Sequence, residues 1–166
     1  LCQTIMGGGW GGRAYEDGEN ATVSICQGDV QNAPVEMQEI YYPVLVEHHR
    51  LREGSGGAGK FRGGLGIETC VRVLCEALTN INVERQLTPP WGLFGGECGA
   101  AAKSLVKQSP EDPGVWLTKK PNYPLKKGGS VTFFTAGGGG YGPAAERAPE
   151  LLERDRRLGY VTETPV

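Results

Sequence analysis

The residues best equipped for chemistry lie between Arg50 and Gly66, a stretch with seven glycines and four basic side chains. Glycine adopts left-handed backbone at little steric cost, so such a run can turn where a bulky residue would not. Successive backbone N–H groups flanked by arginine and lysine form a cradle for an anion. The residues that this reading places against a ligand or a partner are Arg52, Gly54, Ser55, Gly56, Gly57, Gly59, Lys60 and Arg62. A glycine-rich connection between two strands has the same composition, and both readings stay open here.

Two nucleotide-binding patterns fall in the run, and both are incomplete. Gly54, Gly56 and Gly59 have the spacing of a dinucleotide fingerprint, which needs a strand before it and a helix after it. Gly54, Gly59 and Lys60 match most of a phosphate-binding loop. Phe61 stands where that loop needs a hydroxyl for magnesium. After Phe61 come more glycines and then a β-type run, so no helix N-terminus is on hand to hold a phosphate.

Other groups are sparse. His48 and His49 are the only histidines, and neighbours in a strand point to opposite faces. By that alternation Glu47 and His49 share a face and make half of a metal site, too few ligands for a metal. Ser55 lacks the hydrolase elbow, because Glu53 occupies a position that requires glycine. Cys26 and Cys98 lie near loops, with no histidine at a recognisable spacing. Glu84 and Arg85 suit an ion pair or a partner contact better than acid–base work. Arg154, Arg156 and Arg157, interleaved with Glu153 and Asp155, read as a solvated face. No catalytic residue and no metal ligand is assigned.

The elements that must position these groups are mainly β. Alternating or β-rich runs predict strands over 21–27, 41–51, 67–74, 78–85, 104–108, 115–119 and 130–135. Pro43 demotes the start of the second to an edge or a bulge. The runs at 67–74 and 78–85 make the best antiparallel hairpin. Residues 35–40 suit a short helix or a strand equally. The one clear helix is 149–158, with Pro149 at its first position and Gly159 at its stop. The fold class is therefore mainly β, antiparallel sheets with long glycine-rich loops and one carboxy-terminal helix.

The 166 residues suit a single domain spanning 1–166. A net charge of −2 speaks against a general nucleic-acid or membrane surface. No apolar run reaches the length of a membrane span, and no secretory signal is visible. Five cysteines without paired spacing speak against a zinc site or a disulfide framework. They predict reduced, buried thiols in a cytoplasmic protein. The opening at Leu1, running into the glycines around Trp10, reads as the continuation of a longer polypeptide.

The run at 51–66 resembles the signature of the hydantoinase B/oxoprolinase family. Asn32-Ala33-Pro34-Val35-Glu36 and Tyr42-Pro43-Val44-Leu45-Val46-Glu47 precede it in the family's order. Pro90-Trp91-Gly92-Leu93-Phe94-Gly95-Gly96 and Gly137-Gly138-Gly139-Gly140-Tyr141-Gly142 come after it. The resemblance covers essentially the whole chain and corresponds to the carboxy-terminal portion of a family subunit. It implies a component of an ATP-dependent cyclic-amide hydrolase acting on hydantoins or 5-oxoproline. The implied partners are a hydantoinase A-like subunit, which binds ATP, and the amino-terminal part of a hydantoinase B-like subunit. Related assemblies carboxylate ketones such as acetone or acetophenone; a non-catalytic assembly module is a third reading. ATP and a divalent metal are implied for the assembled complex and none for this chain alone, since the family's metal-binding His and Asp residues lie in the amino-terminal portion.

Overall fold

The structure, a computed structural model, describes residues 6–23 and 32–161. Its elements are α1 (Val35–Tyr41), β1 (Val44–Leu51), β2 (Ile67–Val73), β3 (Ala77–Ile81), β4 (Lys103–Lys107), β5 (Val115–Leu117), β6 (Lys120–Leu125), β7 (Ser130–Phe134) and α2 (Pro149–Arg157). A 3₁₀ turn at Ala144–Glu146 precedes α2. All strand pairs are antiparallel. A five-stranded sheet has the order β1-β2-β7-β4-β5, and β3 pairs with β6 in a second sheet. Mainly β architecture with a helix near the carboxy terminus is thus what the alternating runs predicted.

One face of the large sheet carries Val73, Val106 and Val131, which pack on Ile81 of β3 and Leu125 of β6. Burial at this level is worth roughly 2 kcal/mol per side chain. This apolar seam fixes the register, because a one-residue slip would turn every valine to solvent. The run from Pro110 to Gly114 turns the chain between β4 and β5. Asp112 accepts from the N–H groups of Gln108 at 2.8 Å and Gly114 at 2.9 Å, which closes β4 onto β5.

Several expectations need correction. The runs at 67–74 and 78–85 do not pair with each other. Both edges of β2 are taken, by β1 and β7, so β3 leaves to build the second layer. The second run is also shorter as a strand, ending at Ile81. β6 was not foreseen: it contains Pro121 and Pro124, but among the described residues it pairs with β3 only and tolerates missing donors on its free side. Residues 35–41 are helical. Of the strand expected at 21–27, residues 24–27 lie outside the described residues. Thr22 makes only an isolated bridge to Gly8.

Candidate functional site

Four glycine-bearing segments that are distant in sequence pack together: 7–12, 55–66, 92–99 and 136–142. The last lies among the other three, and its backbone bonds to each in turn. Gly137 donates to Ala100 O at 3.1 Å, Gly138 to Gly64 O at 2.9 Å, and Gly140 to Glu97 O at 2.9 Å. In return Gly57 donates to Gly138 O and Gly12 to Gly139 O, both at 2.8 Å. Neighbours on three sides, rather than in one sheet plane, leave no room for side chains. A Cβ on Gly138 would overlap the carbonyl of Trp10, and one on Gly137 that of Ser55. The glycines on either side of Trp10 are part of this layer.

The predicted site residues all belong to it or to its rim. Gly54 has φ 65 and donates to Tyr160 O at 3.1 Å. Gly57 is glycine for a different reason: a Cβ there would lie 2.8 Å from the Cys98 carbonyl carbon. Gly56 is closed in the same way by Gly63 O, and Gly59 by Tyr141 N at 2.7 Å. Ser55, 1% exposed, donates to Arg52 O at 2.5 Å and accepts from Gly66 N at 2.9 Å. Arg52 donates to Ala101 O at 2.8 Å and Thr135 O at 3.0 Å, tying β1 to the layer. Burial pushes its guanidinium below the usual arginine value, opposed by Glu68. Lys60 is the exposed basic side chain of the set, 3.6 Å from Glu146. Much of the run's donor capacity is spent on the chain itself, including the N–H groups of Lys60, Phe61, Gly63, Gly64 and Leu65.

Arg62 is 4% exposed and opens the most polar interior cluster. Its N–H donates to Asp17 Oδ1 at 2.8 Å, and its Nη1 to Gly63 O at 2.5 Å. Arg147 grips Asp17 with both terminal nitrogens, at 2.7 and 2.9 Å. The same guanidinium reaches Asp155 Oδ2 at 2.5 Å, and Arg154 reaches Asp17 Oδ2 at 2.5 Å. Burial alone would raise the Asp17 carboxyl. The Arg147 bond, the Arg62 N–H and both guanidinium charges outweigh it and hold the carboxyl below its ordinary value. Arg147 is likewise opposed by burial and held above its ordinary value by Asp17 and Asp155. Such a group stays ionised at neutral pH. It acts as a clamp rather than as an acid or base, fastening α2 to the layer. An open cleft of about 410 Å³ lies beside it, lined by Tyr15, Phe61, Arg62, Leu151, Arg154 and Tyr160.

Helix α2 is built to deliver Asp155 there. Ala148 gives no side-chain cap, as its apolar side chain requires. The other end closes as a Schellman turn. Gly159, φ 66, donates to Arg156 O at 3.1 Å, and Tyr160 to Asp155 O at 2.8 Å. The solvated reading of this helix is corrected in two respects. Asp155 is fully buried, and Arg154 is drawn into the clamp while Arg156 and Arg157 stay exposed. The signal was available: Leu151, Asp155 and Leu158 fall at i, i+4 and i+7, which puts an acid inside the apolar stripe.

On the outward face of the large sheet, a β-bulge between Val46 and His48 changes which side chains meet. Glu47 shares a face with His48 rather than His49. Glu47 accepts from Cys70 Sγ at 3.1 Å and pairs with Arg72, whereas His49 Nδ1 lies 2.7 Å from Thr69 Oγ1 on the other face. The Cys70 bond and the Arg72 bond hold the Glu47 carboxyl low; burial raises the Cys70 thiol. Cys70 is therefore a buried thiol, not a poised thiolate. Cys75 and Cys98 are exposed, contrary to the expectation of burial, and Cys2 and Cys26 lie outside the described residues. Glu84 pairs with Lys119 at 2.5 Å, and the Arg85 guanidinium lies 5.4 Å from the Trp91 ring centre. Among the described residues no three His, Cys, Asp or Glu side chains converge as metal ligands. No helix of the described residues is long and apolar enough to cross a membrane.

The antiparallel sheets are joined to a layer of closely packed glycine backbone, and comparison with known proteins places the chain. The chain belongs to the hydantoinase B/oxoprolinase family, whose model matches residues 1–144. It is 31% identical over 160 residues to the B subunit of a putative D-/L-hydantoinase from Pseudomonas sp. strain NS671, covering 96% of this chain and 27% of that one. The crystal structure of ATP-dependent caprolactamase from Pseudomonas jessenii aligns with TM-score 0.80 and 28% identity over 95% of this chain and 28% of that one. A nucleotide-free acetone carboxylase structure aligns with TM-score 0.71 over 94% of this chain and 25% of that one; at 21% identity it shares the fold alone. The chain thus spans about a quarter of the length of the relatives named here.

Proposed function

We propose that this chain is one domain, the carboxy-terminal portion of a hydantoinase B-like subunit in an ATP-dependent cyclic-amide hydrolase. The observation that carries the reading is the match to the caprolactamase structure across nearly the whole chain, at 28% identity. In this reading Arg52, Gly54, Ser55, Gly56, Gly57, Gly59, Lys60 and Arg62 shape a wall of a site that other polypeptide completes. Their role is to hold backbone in place, and the exposed Lys60 is the member free to meet a ligand or a partner.

The residues present do not fit a nucleotide. Phe61 replaces the magnesium-binding hydroxyl, and the surrounding N–H groups bond within the chain. No reaction step is therefore routed through ATP on this chain. A hydantoinase A-like subunit supplies ATP chemistry, and the amino-terminal part of the hydantoinase B-like subunit supplies the divalent metal. The chain alone is inactive, because a catalyst needs several chemical groups fixed together. Its place is the cytoplasm.

The test is substrate-dependent ATP hydrolysis with hydantoins and 5-oxoproline, by the chain alone and then with both other polypeptides. Turnover only in the assembly supports the reading. Turnover by the isolated chain overturns it, and an absolute requirement for bicarbonate with a ketone substrate moves the assembly to the carboxylases.

A further inference from the structure

The outward face of the five-stranded sheet combines unpaired cations with aromatic side chains. Register places Glu68 of β2, Phe134 of β7 and Lys103 of β4 in one row, with Arg50 of β1 beside Glu68. The next row carries Leu105 opposite Trp116. Lys103 Nζ lies 4.7 Å from the Trp116 ring centre and 5.1 Å from that of Phe134, and Arg52 Cζ lies 5.7 Å from Phe134 on its other side. Trp116 is 55% exposed, whereas Val106 and Val131 on the opposite face are at most 4% exposed.

Charge on this face is unbalanced. Glu47 is engaged by Arg72, and Glu68 by Arg50 and His48. Among the described residues, Arg52, Lys103 and Lys107 have no carboxylate within ion-pair distance, although the whole chain carries −2. Lys103 and Lys107 are four residues apart on one strand, about 13 Å. That is too far for one small anion to bridge, and the apolar Leu105 and Trp116 lie between them. The same separation is a little over two turns of helix.

We propose that this face docks an acidic amphipathic segment of another polypeptide in the assembly, an inference that rests on the functional reading above. Its apolar side covers Trp116 and Leu105, and its carboxylates reach Lys103 and Lys107. Aromatic and arginine side chains are the usual anchors of such contacts. Complementary charge sets orientation and makes association sensitive to salt.

The test measures binding of this chain to a hydantoinase A-like subunit and, separately, to the amino-terminal part of a hydantoinase B-like subunit, at low and high salt. Lys103→Glu with Lys107→Glu, and separately Trp116→Ala, weaken binding to one of them at least about tenfold. Arg156→Glu with Arg157→Glu, the same charge change on exposed α2 positions, leaves it within about twofold. Circular dichroism melts confirm that each variant is folded. Unchanged affinity in the sheet variants overturns the proposal, as does an equal loss in the α2 control. If those variants assemble normally and the assembly turns over, the docking surface falls and the functional reading stands. If the parent binds neither polypeptide, both fall. Binding to phosphatidylserine vesicles that is lost in the same sheet variants assigns the face to a membrane and overturns the proposal.

Discussion

The valine seam and the glycine layer are both interior, and opposite rules hold them together. The seam is made of side chains: Val73, Ile81, Val106, Leu125 and Val131 exclude water by bulk. The layer is made of backbone, with Gly64, Gly138 and Gly140 donating to carbonyls of neighbouring segments at 2.7–2.9 Å. A core of side chains can shrink and partly relax, losing stability in proportion to what is removed. A core of backbone cannot grow, because any added atom must move a carbonyl. The contrast teaches that residue type alone does not separate interior from loop. The glycine runs that read as connections are among the most tightly enclosed parts of the molecule.

Substitutions test that contrast, and the largest effect falls in the layer. Gly138→Ala forces the Trp10 carbonyl aside, and Gly57→Val does the same at Glu97 and Cys98. Each costs more than about 3 kcal/mol and is seen as loss of folded protein in thermal melts. Val106→Ala in the seam costs about 2 kcal/mol, although it removes atoms from a residue only 1% exposed. If Gly138→Ala melts like the parent, the layer is not packed as described.

The clamp joining α2 to the layer ranks with the layer and above the seam. Asp155→Ala leaves Arg147 buried without one of its two carboxylates, at a cost of about 3–5 kcal/mol by denaturant unfolding. A loss below about 0.5 kcal/mol would mean that α2 is held by its leucines alone.

Acid loosens the same junction. The Asp17 carboxyl lies below its ordinary value in the folded chain, so the unfolded chain binds the proton more readily. Its contribution is complete above the ordinary aspartate range and is lost as pH falls through about 4 and then through the lower folded value. Unfolding followed from pH 7 to pH 2 therefore shows a drop in stability beginning near about pH 4. Asp17→Asn flattens that drop. An identical acid profile for the variant would remove Asp17 from the account.

The smallest effect is expected at the rim. Lys60→Ala removes an exposed side chain 3.6 Å from an exposed carboxylate. It shifts stability by less than about 0.5 kcal/mol. A larger loss would give Lys60 a structural part that its position does not suggest.

Legibility in the sequence divides along the same line. β2, β4, β5 and β7 announced themselves through alternation, and α2 through Pro149, its leucines and Gly159. Side chains wrote those signals. The layer has no side-chain period, and its hydrogen bonds join residues from Gly8 to Tyr141, so only the family signature pointed to it. The bulge at Glu47 was hidden because it depends on the partner strand, and it moved His48 onto the face expected for His49. The Asp17–Arg147 pair spans 130 positions, out of reach of any local pattern. Asp155 was within reach, as an acid in an apolar stripe.

Amide hydrogen exchange compares the two interiors most directly. The N–H groups of Gly57, Gly64, Gly138 and Gly140 bond to carbonyls inside the layer, as those of Val71, Val106 and Val131 bond within the sheet. A layer that is true interior opens only with the whole fold. Its glycine amides then exchange as slowly as the sheet valines, within about tenfold. Glycine amides exchanging at the rate of exposed turn residues such as Lys127, while the valines stay protected, would show that these runs are loops after all.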